Sequence, residues 1–188
     1  MAVQRLTKGE FMKKSYLALL CATSLALPIT AQAGEPSFTL NYANSSNSIE
    51  AADYGQGLNI KVNYDPSFSS FGLVTSATFT EKSWSDRWMG GNGQGETRYF
   101  SMATGPSYCF QPFMSIYALA GFAEQKTVGS MNGEFLKDSD MTYIYGGGLR
   151  MNVWESVVLD AHYEYAPFEF DGMETSTETY SVGLGWRF

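Results

Sequence analysis

Beyond residue 34 the chain alternates. Phe38, Leu40 and Tyr42 are interleaved with Ser37, Thr39 and Asn41, and Leu58, Ile60, Val62 and Tyr64 with Gly57, Asn59, Lys61 and Asn63. Successive side chains of a strand point to opposite faces, so this period of two predicts strands with one apolar face and one polar or small face. The pattern returns near 71–80 and at 100–108, 142–151, 157–165 and 179–188, and an apolar run at 114–123 reads as a further strand whose faces cannot be told apart. Pro106 is unwelcome in a central strand because it brings no ladder donor, and Gly105 beside it predicts a local bulge.

The connections decide where such a chain resides. Those at 65–70, 111–113 and 152–156 are short, whereas those at 44–54, 81–97, 124–140 and 166–177 are long and polar, and the two kinds alternate. Charges fall on the face opposite the apolar one: Lys61, Arg150, Asp160, His162, Glu164 and Arg187. In a soluble sandwich the apolar face would be the core. In a membrane barrel it meets lipid, the charges point inward, short turns lie on one side and long loops on the other. Tyr42, Tyr64, Tyr108, Tyr143, Tyr163, Tyr165 and Trp186 near strand ends suit the two interfacial girdles. Unpaired backbone cannot face lipid, so the strands must close. The expectation is an all-β fold: an eight-stranded antiparallel up-and-down transmembrane β-barrel over 34–188, with four long extracellular loops. Eight strands leave an interior that side chains fill.

The first 33 residues predict export. Lys13 and Lys14 precede an uncharged stretch with an apolar heart from 16 to 27, then Pro28 and the small-x-small pattern Ala31-Gln32-Ala33. This is a signal peptide, expected to start at Met12 and to be cut after Ala33. The apolar core is too short for a spanning helix, and the residues before Cys21 do not form a lipoprotein signal. Removing 1–33 takes four basic residues and one acid from the 12 and 19 of the whole chain, leaving 8 against 18, a net of −10. Nucleic acid is therefore not an expected partner. Cys109 alone remains, so an internal disulfide is excluded, and no Cys/His spacing suits zinc; no cofactor is expected.

Several stretches then carry a resemblance: 38–42, Gly57-Leu58-Asn59-Ile60-Lys61-Val62, Thr104-Gly105-Pro106-Ser107-Tyr108, Ser115-Ile116-Tyr117-Ala118-Leu119-Ala120-Gly121, Gly146-Gly147-Gly148-Leu149-Arg150-Met151-Asn152, 157–164 and Gly183-Leu184-Gly185-Trp186-Arg187-Phe188. In this order they resemble the Ail/Lom/OmpX family of small outer-membrane proteins. The resemblance covers 34–188 and fades in the long connections. It implies a barrel in the outer membrane of a Gram-negative bacterium, in a family that includes adhesins, invasion proteins and serum-resistance factors. It also implies that Trp186 and Phe188 form the signal read by the barrel-assembly machinery. Cys109-Phe110 departs from the family, where a basic residue commonly follows the tyrosine.

Two groups of residues are candidates for function. Lys61, Arg150, Asp160, Glu164 and Arg187 are expected to form an ion network in the lumen, with Asp160 between Arg150 and Arg187; a buried charge without a partner is very costly. His162, Ser181 and Asp160 share that interior, but a triad is recognised by geometry and the nucleophile-elbow motif is missing, so the chain is not expected to be an enzyme. Outside, Trp84, Arg87, Trp88 and Met89 are large aromatic, basic and apolar residues on a solvent-facing connection, the composition of a binding hot spot. The alternative for them is packing on a neighbouring loop or in the outer girdle. Lys82, Arg87, Arg98 and Lys126 are placed near lipopolysaccharide phosphates. The expected activity is binding of host extracellular-matrix or serum molecules by a monomer embedded in outer-membrane lipid and lipopolysaccharide, serving adhesion, invasion or serum resistance. Rival readings are a structural envelope barrel without a ligand, a narrow channel and a membrane enzyme. A partner strand added to an exposed sheet edge is a further route to binding.

Overall fold

The computed structural model describes residues 34–47, 50–66, 70–88, 91–131, 134–170 and 173–188. The expected signal peptide and Met89 lie outside these residues, as do the side chains of Trp84, Arg87 and Trp88. Eight strands follow one another: β1 (Gly34–Asn47), β2 (Glu50–Pro66), β3 (Phe71–Trp88), β4 (Gly91–Gln111), β5 (Met114–Met131), β6 (Glu134–Asn152), β7 (Val157–Phe170) and β8 (Met173–Arg187). Each pairs antiparallel with its sequence neighbours, and β8 pairs with β1 to close the barrel.

The register sets the tilt. Passing from partner to partner, Phe38 leads through Val62, Thr75, Thr104, Ala120, Tyr145, Tyr165 and Glu178 to Ser46, eight residues further along β1 (46 − 38). An offset of eight over eight strands inclines each strand by about 35° to the axis, given a rise of about 3.3 Å per residue and a strand spacing of about 4.8 Å. Each residue then climbs about 2.7 Å.

Parity sorts the side chains as alternation predicts. Ser37, Thr39, Asn41, Asn59, Lys61, Ser101, Ser107, Arg150, Asp160, His162, Glu164 and Ser181 are buried in the lumen, whereas Leu40, Ile60, Leu73, Ile116, Tyr143 and Val182 lie on the outside. On β3 the outer face stays uncharged from Phe71 to Phe79 and meets its first charge at Glu81, ten residues above Phe71. That climb is about 27 Å, close to the ~25 Å apolar band of an outer-membrane barrel. β5, unassignable from sequence, turns Ser115, Tyr117, Leu119 and Ala123 inward and Ile116 and Phe122 outward.

Two expectations are corrected. The segments 44–54, 81–97, 124–140 and 166–177, expected as long loops, mostly continue the strands as paired hairpins. Above the apolar band the outer face meets water instead of lipid, while inward residues such as Gln125, Ala166, Phe168 and Thr177 stay buried; with no apolar outer face required, the alternation that betrays a strand fades. The bulge expected at Gly105 is also absent: Thr104↔Ala120 and Ser107↔Tyr117 keep one register across Gly105-Pro106, and the shift falls instead between Cys109 and Gln111. A β-carbon on Gly105 would sit 2.0 Å from the Ala118 carbonyl oxygen, so this position serves close strand approach.

Candidate functional site

The lumen is built in layers. Nearest the short turns, Arg150 Nη2 donates to the Asp65 carboxylate and Nη1 to Ser37 Oγ at 3.2 Å. Above it, Lys61 Nζ pairs with Asp160 across the barrel, and Tyr117 Oη donates to Asp160 Oδ2 at 2.9 Å. The Lys61 ammonium also lies 5.6 Å from the Tyr117 ring centroid, within cation–π range. Higher still, Tyr99 Oη donates to Glu164, and His162 Nε2 lies 4.0 Å from Glu164 Oε2. A ladder of amides and hydroxyls completes one wall: Asn41 Nδ2 donates to Asn59 Oδ1 at 2.8 Å, and Asn59 Nδ2 to Ser76 Oγ at 2.7 Å.

These charges are sealed from water. Lys61 and Asp160 side chains are each 2% exposed and Glu164 1%. A cavity of ≈ 10 Å³ between Lys61, Asn63, Tyr117, Arg150 and Asp160 has room for about one water. Isolated charges so placed would be prohibitive, and each pair offsets the desolvation of its members.

Lys61, Arg150, Asp160 and Glu164 therefore share the lumen, but their partners differ from those expected. Arg150 stands opposite Asp160 in the register, yet its guanidinium turns to Asp65. Arg187 does not reach Asp160. The β8 partner of Asp160 is Gly183, and Arg187 lies four residues further down, about 13 Å along the strand. There its Nη2 donates to the Glu155 carbonyl at 3.1 Å. Parity puts Arg187 on the inner face, but its height leaves it at the turn end. Sequence reasoning missed Asp65, Tyr99 and Tyr117 as partners: Tyr99 precedes the alternation read at 100–108, and Tyr117 lies in the apolar run 114–123, whose two faces alternation cannot separate. Ser181 Oγ lies 3.3 Å from His162 Nδ1, but the Asp160 carboxylate is engaged by Lys61 and Tyr117. The geometry does not align a Ser-His-Asp relay.

Outside, tyrosines gather on one flank of the upper belt: the rings of Tyr145 and Tyr165 are 5.3 Å apart and those of Tyr163 and Tyr180 5.0 Å. Just above, charges appear in neutralised pairs. Arg98 reaches Glu96 and, at 3.6 Å, Glu81, and Lys126 Nζ is 2.9 Å from Glu124 Oε2. β3 and β5 then run seven residues further, from Glu81 to Trp88 and from Glu124 to Met131, about 19 Å above the belt. Pairing of β2 with β3 ends at Gln56↔Glu81, and that of β6 with β7 at Tyr145↔Tyr165. A four-stranded sheet, β3 to β6, thus rises clear of the ring. Trp84, Arg87 and Trp88 lie on its β3 edge, opposite Gly95, Asn92 and Gly91 of β4.

A closed eight-stranded ring with an apolar outer belt and an ion-paired lumen defines an integral β-barrel of the bacterial outer membrane, its belt facing lipid. The comparisons make the assignment specific: this chain belongs to the Ail/OmpX/PagC family of outer-membrane proteins. Residues 17–188 match the family described as outer membrane protein beta-barrel domain. The attachment invasion locus protein of Yersinia enterocolitica is 31% identical over 184 residues, covering 94% of this chain and all of the relative. Outer membrane protein X of Escherichia coli K12 is 31% identical over 181 residues with the same coverage. Among solved structures, Ail of Yersinia pestis in complex with the heparin analogue sucrose octasulfate superposes with a TM-score of 0.70 at 28% identity, covering 82% of this chain and 99% of Ail.

Proposed function

We propose that this protein is an attachment factor whose projecting sheet binds host macromolecules, in the class of matrix or serum proteins, without turnover. The observation that carries this reading is the one-sided extension of the barrel. Four strands continue about 19 Å past the belt, while at the opposite end only a few residues separate β2 from β3, β4 from β5 and β6 from β7. A membrane anchor needs no such extension. The likeness to attachment invasion locus proteins supports it, as does the capture of a polyanion by one of them. Two further parts of the reading concern biogenesis: residues 1–33 direct export and are removed, and Trp186 and Phe188 present the assembly signal. The packed lumen disfavours a channel and a catalytic His162, because neither ions nor a substrate have a path to it.

The test is direct binding. The intact barrel in lipid discs is expected to bind immobilised matrix or serum proteins. A version with 82–94 replaced by a short Gly/Ser link is expected to lose at least tenfold in affinity. Equal binding by both would refute a site on the β3–β4 hairpin.

A further inference from the structure

The tyrosine flank of the upper belt carries more than an interfacial girdle requires. Tyr163 and Tyr165 share the outer face of β7. Tyr165 stands opposite Tyr145 of β6 and Glu178 of β8, and Tyr163 opposite Gly147 of β6 and Tyr180 of β8. Four rings thus adjoin one carboxylate. The two ring pairs are tilted by 40° and 49° instead of stacked, and Tyr145, Tyr163 and Tyr180 are 53%, 36% and 53% exposed, so aromatic faces stay open to a ligand. Tyr180 Oη donates to Glu178 Oε2 at 3.1 Å and holds the carboxylate beside the rings. Asn44, the β1 partner of Tyr180, adds an amide oxygen that has no donor among the described residues.

Height and charge narrow the ligand. On β8 the outer face runs through Trp186, Leu184, Val182 and Tyr180 without a charge and meets its first at Glu178, eight residues above Trp186 (186 − 178). That climb of about 22 Å brings the carboxylate to the level of lipid headgroups. On the β3–β5 flank the charges near this level are ion-paired, Arg98 with Glu96 and Glu81 and Lys126 with Glu124. Glu178 forms no ion pair among the described residues. Below the rings the outer surface is shallow. Gly147 lies between Ala118 of β5 and Tyr163 in the cross-strand row, and Ala161 is the next outward residue below Tyr163 on β7. A slot floored by small residues therefore descends from the rings into the belt.

From this juxtaposition we infer that the flank binds a membrane lipid whose headgroup ends in a primary ammonium, with an acyl chain lying in the slot over Gly147. The aromatic faces attract a cation, and Glu178 supplies the opposite charge together with an acceptor. The N–H donors of a primary ammonium match the acceptors Glu178 and Asn44. A quaternary ammonium keeps only the attraction to the rings and the carboxylate, and an anionic headgroup is repelled by Glu178. The site lies on the barrel wall, apart from the projecting sheet, and stands independently of the attachment reading.

The experiment places the full barrel in lipid discs made of equal parts phosphatidylethanolamine, phosphatidylcholine and phosphatidylglycerol with identical acyl chains. Native mass spectrometry then counts the lipids that stay bound after gentle release. Phosphatidylethanolamine is expected to be retained about tenfold over either of the others. Glu178→Gln keeps the size of the side chain and removes its charge, and Tyr163→Leu removes a ring; each is expected to abolish the preference. Ala118→Leu, which fills the slot, should weaken retention, whereas Phe100→Leu on the far flank should leave it unchanged. The compact, heat-modifiable band on gels checks that every variant is folded. Equal retention of the three lipids, an undiminished preference in folded Glu178→Gln, or the same loss in Phe100→Leu would overturn the inference. Displacement of the lipid by millimolar free ethanolamine would overturn the lipid assignment as well, because a free amine would then bind as well as the lipid.

Discussion

Asp160 holds the lumen together more than its neighbours do. It receives both the Lys61 ammonium and the Tyr117 hydroxyl in a site 2% exposed. Asp160→Ala is expected to destabilise the barrel by roughly 3–5 kcal/mol, because it leaves a buried ammonium unpaired. Arg187→Ala, at the turn end against a carbonyl, should change stability by no more than about 0.5 kcal/mol. Urea titration of folding into lipid vesicles compares the two, and equal losses would contradict the layering of the lumen. Parity in the sequence put all four sealed charges inside, but it carries no height. That is why Arg187 was grouped with Asp160, and why Arg150 was paired across the register rather than with Asp65. Asp65 itself sits where the sequence suggested only a turn.

At the scale of elements, close approach between strands is set by glycine. A β-carbon on Gly121 would meet the Met102 carbonyl oxygen at 1.9 Å and Ala103 Cα at 2.6 Å, both backbone atoms that cannot yield. Gly121→Val is expected to prevent folding of the β4–β5 pair, read as loss of the compact, heat-modifiable band on gels; a normally folded variant would contradict the register. Strands β1, β2 and β8 were legible because lipid and lumen impose opposite chemistries on alternate residues. β5 was not, because the lumen at its level is lined by Tyr117 and Leu119, as apolar as the belt. The extensions above the belt were unreadable for the converse reason: with water in place of lipid outside, the outer face need not be apolar, so a paired hairpin looks like a loop.

For the whole molecule, the decisive property is asymmetry along the axis. Below, short turns and a sealed lumen give an anchor; above, a four-stranded sheet stands in the medium with two open edges. The sequence already showed this polarity in its alternating short and long connections, although not the form the long ones take. Most of the net charge of −10 lies in the upper part, where 13 acids face five bases between residues 50–53, 81–98, 124–140 and 169–178. Any partner approaching from outside meets this field first, and its association rate should fall or rise with salt according to its own sign. The central claim, that this projecting sheet is the attachment device, is tested most directly on cells. A non-adherent bacterium displaying the intact protein should attach to cultured cells, and one displaying equal amounts of the version with 82–94 replaced should fall to background. Undiminished attachment by the shortened protein, or none by the intact one, would contradict the account.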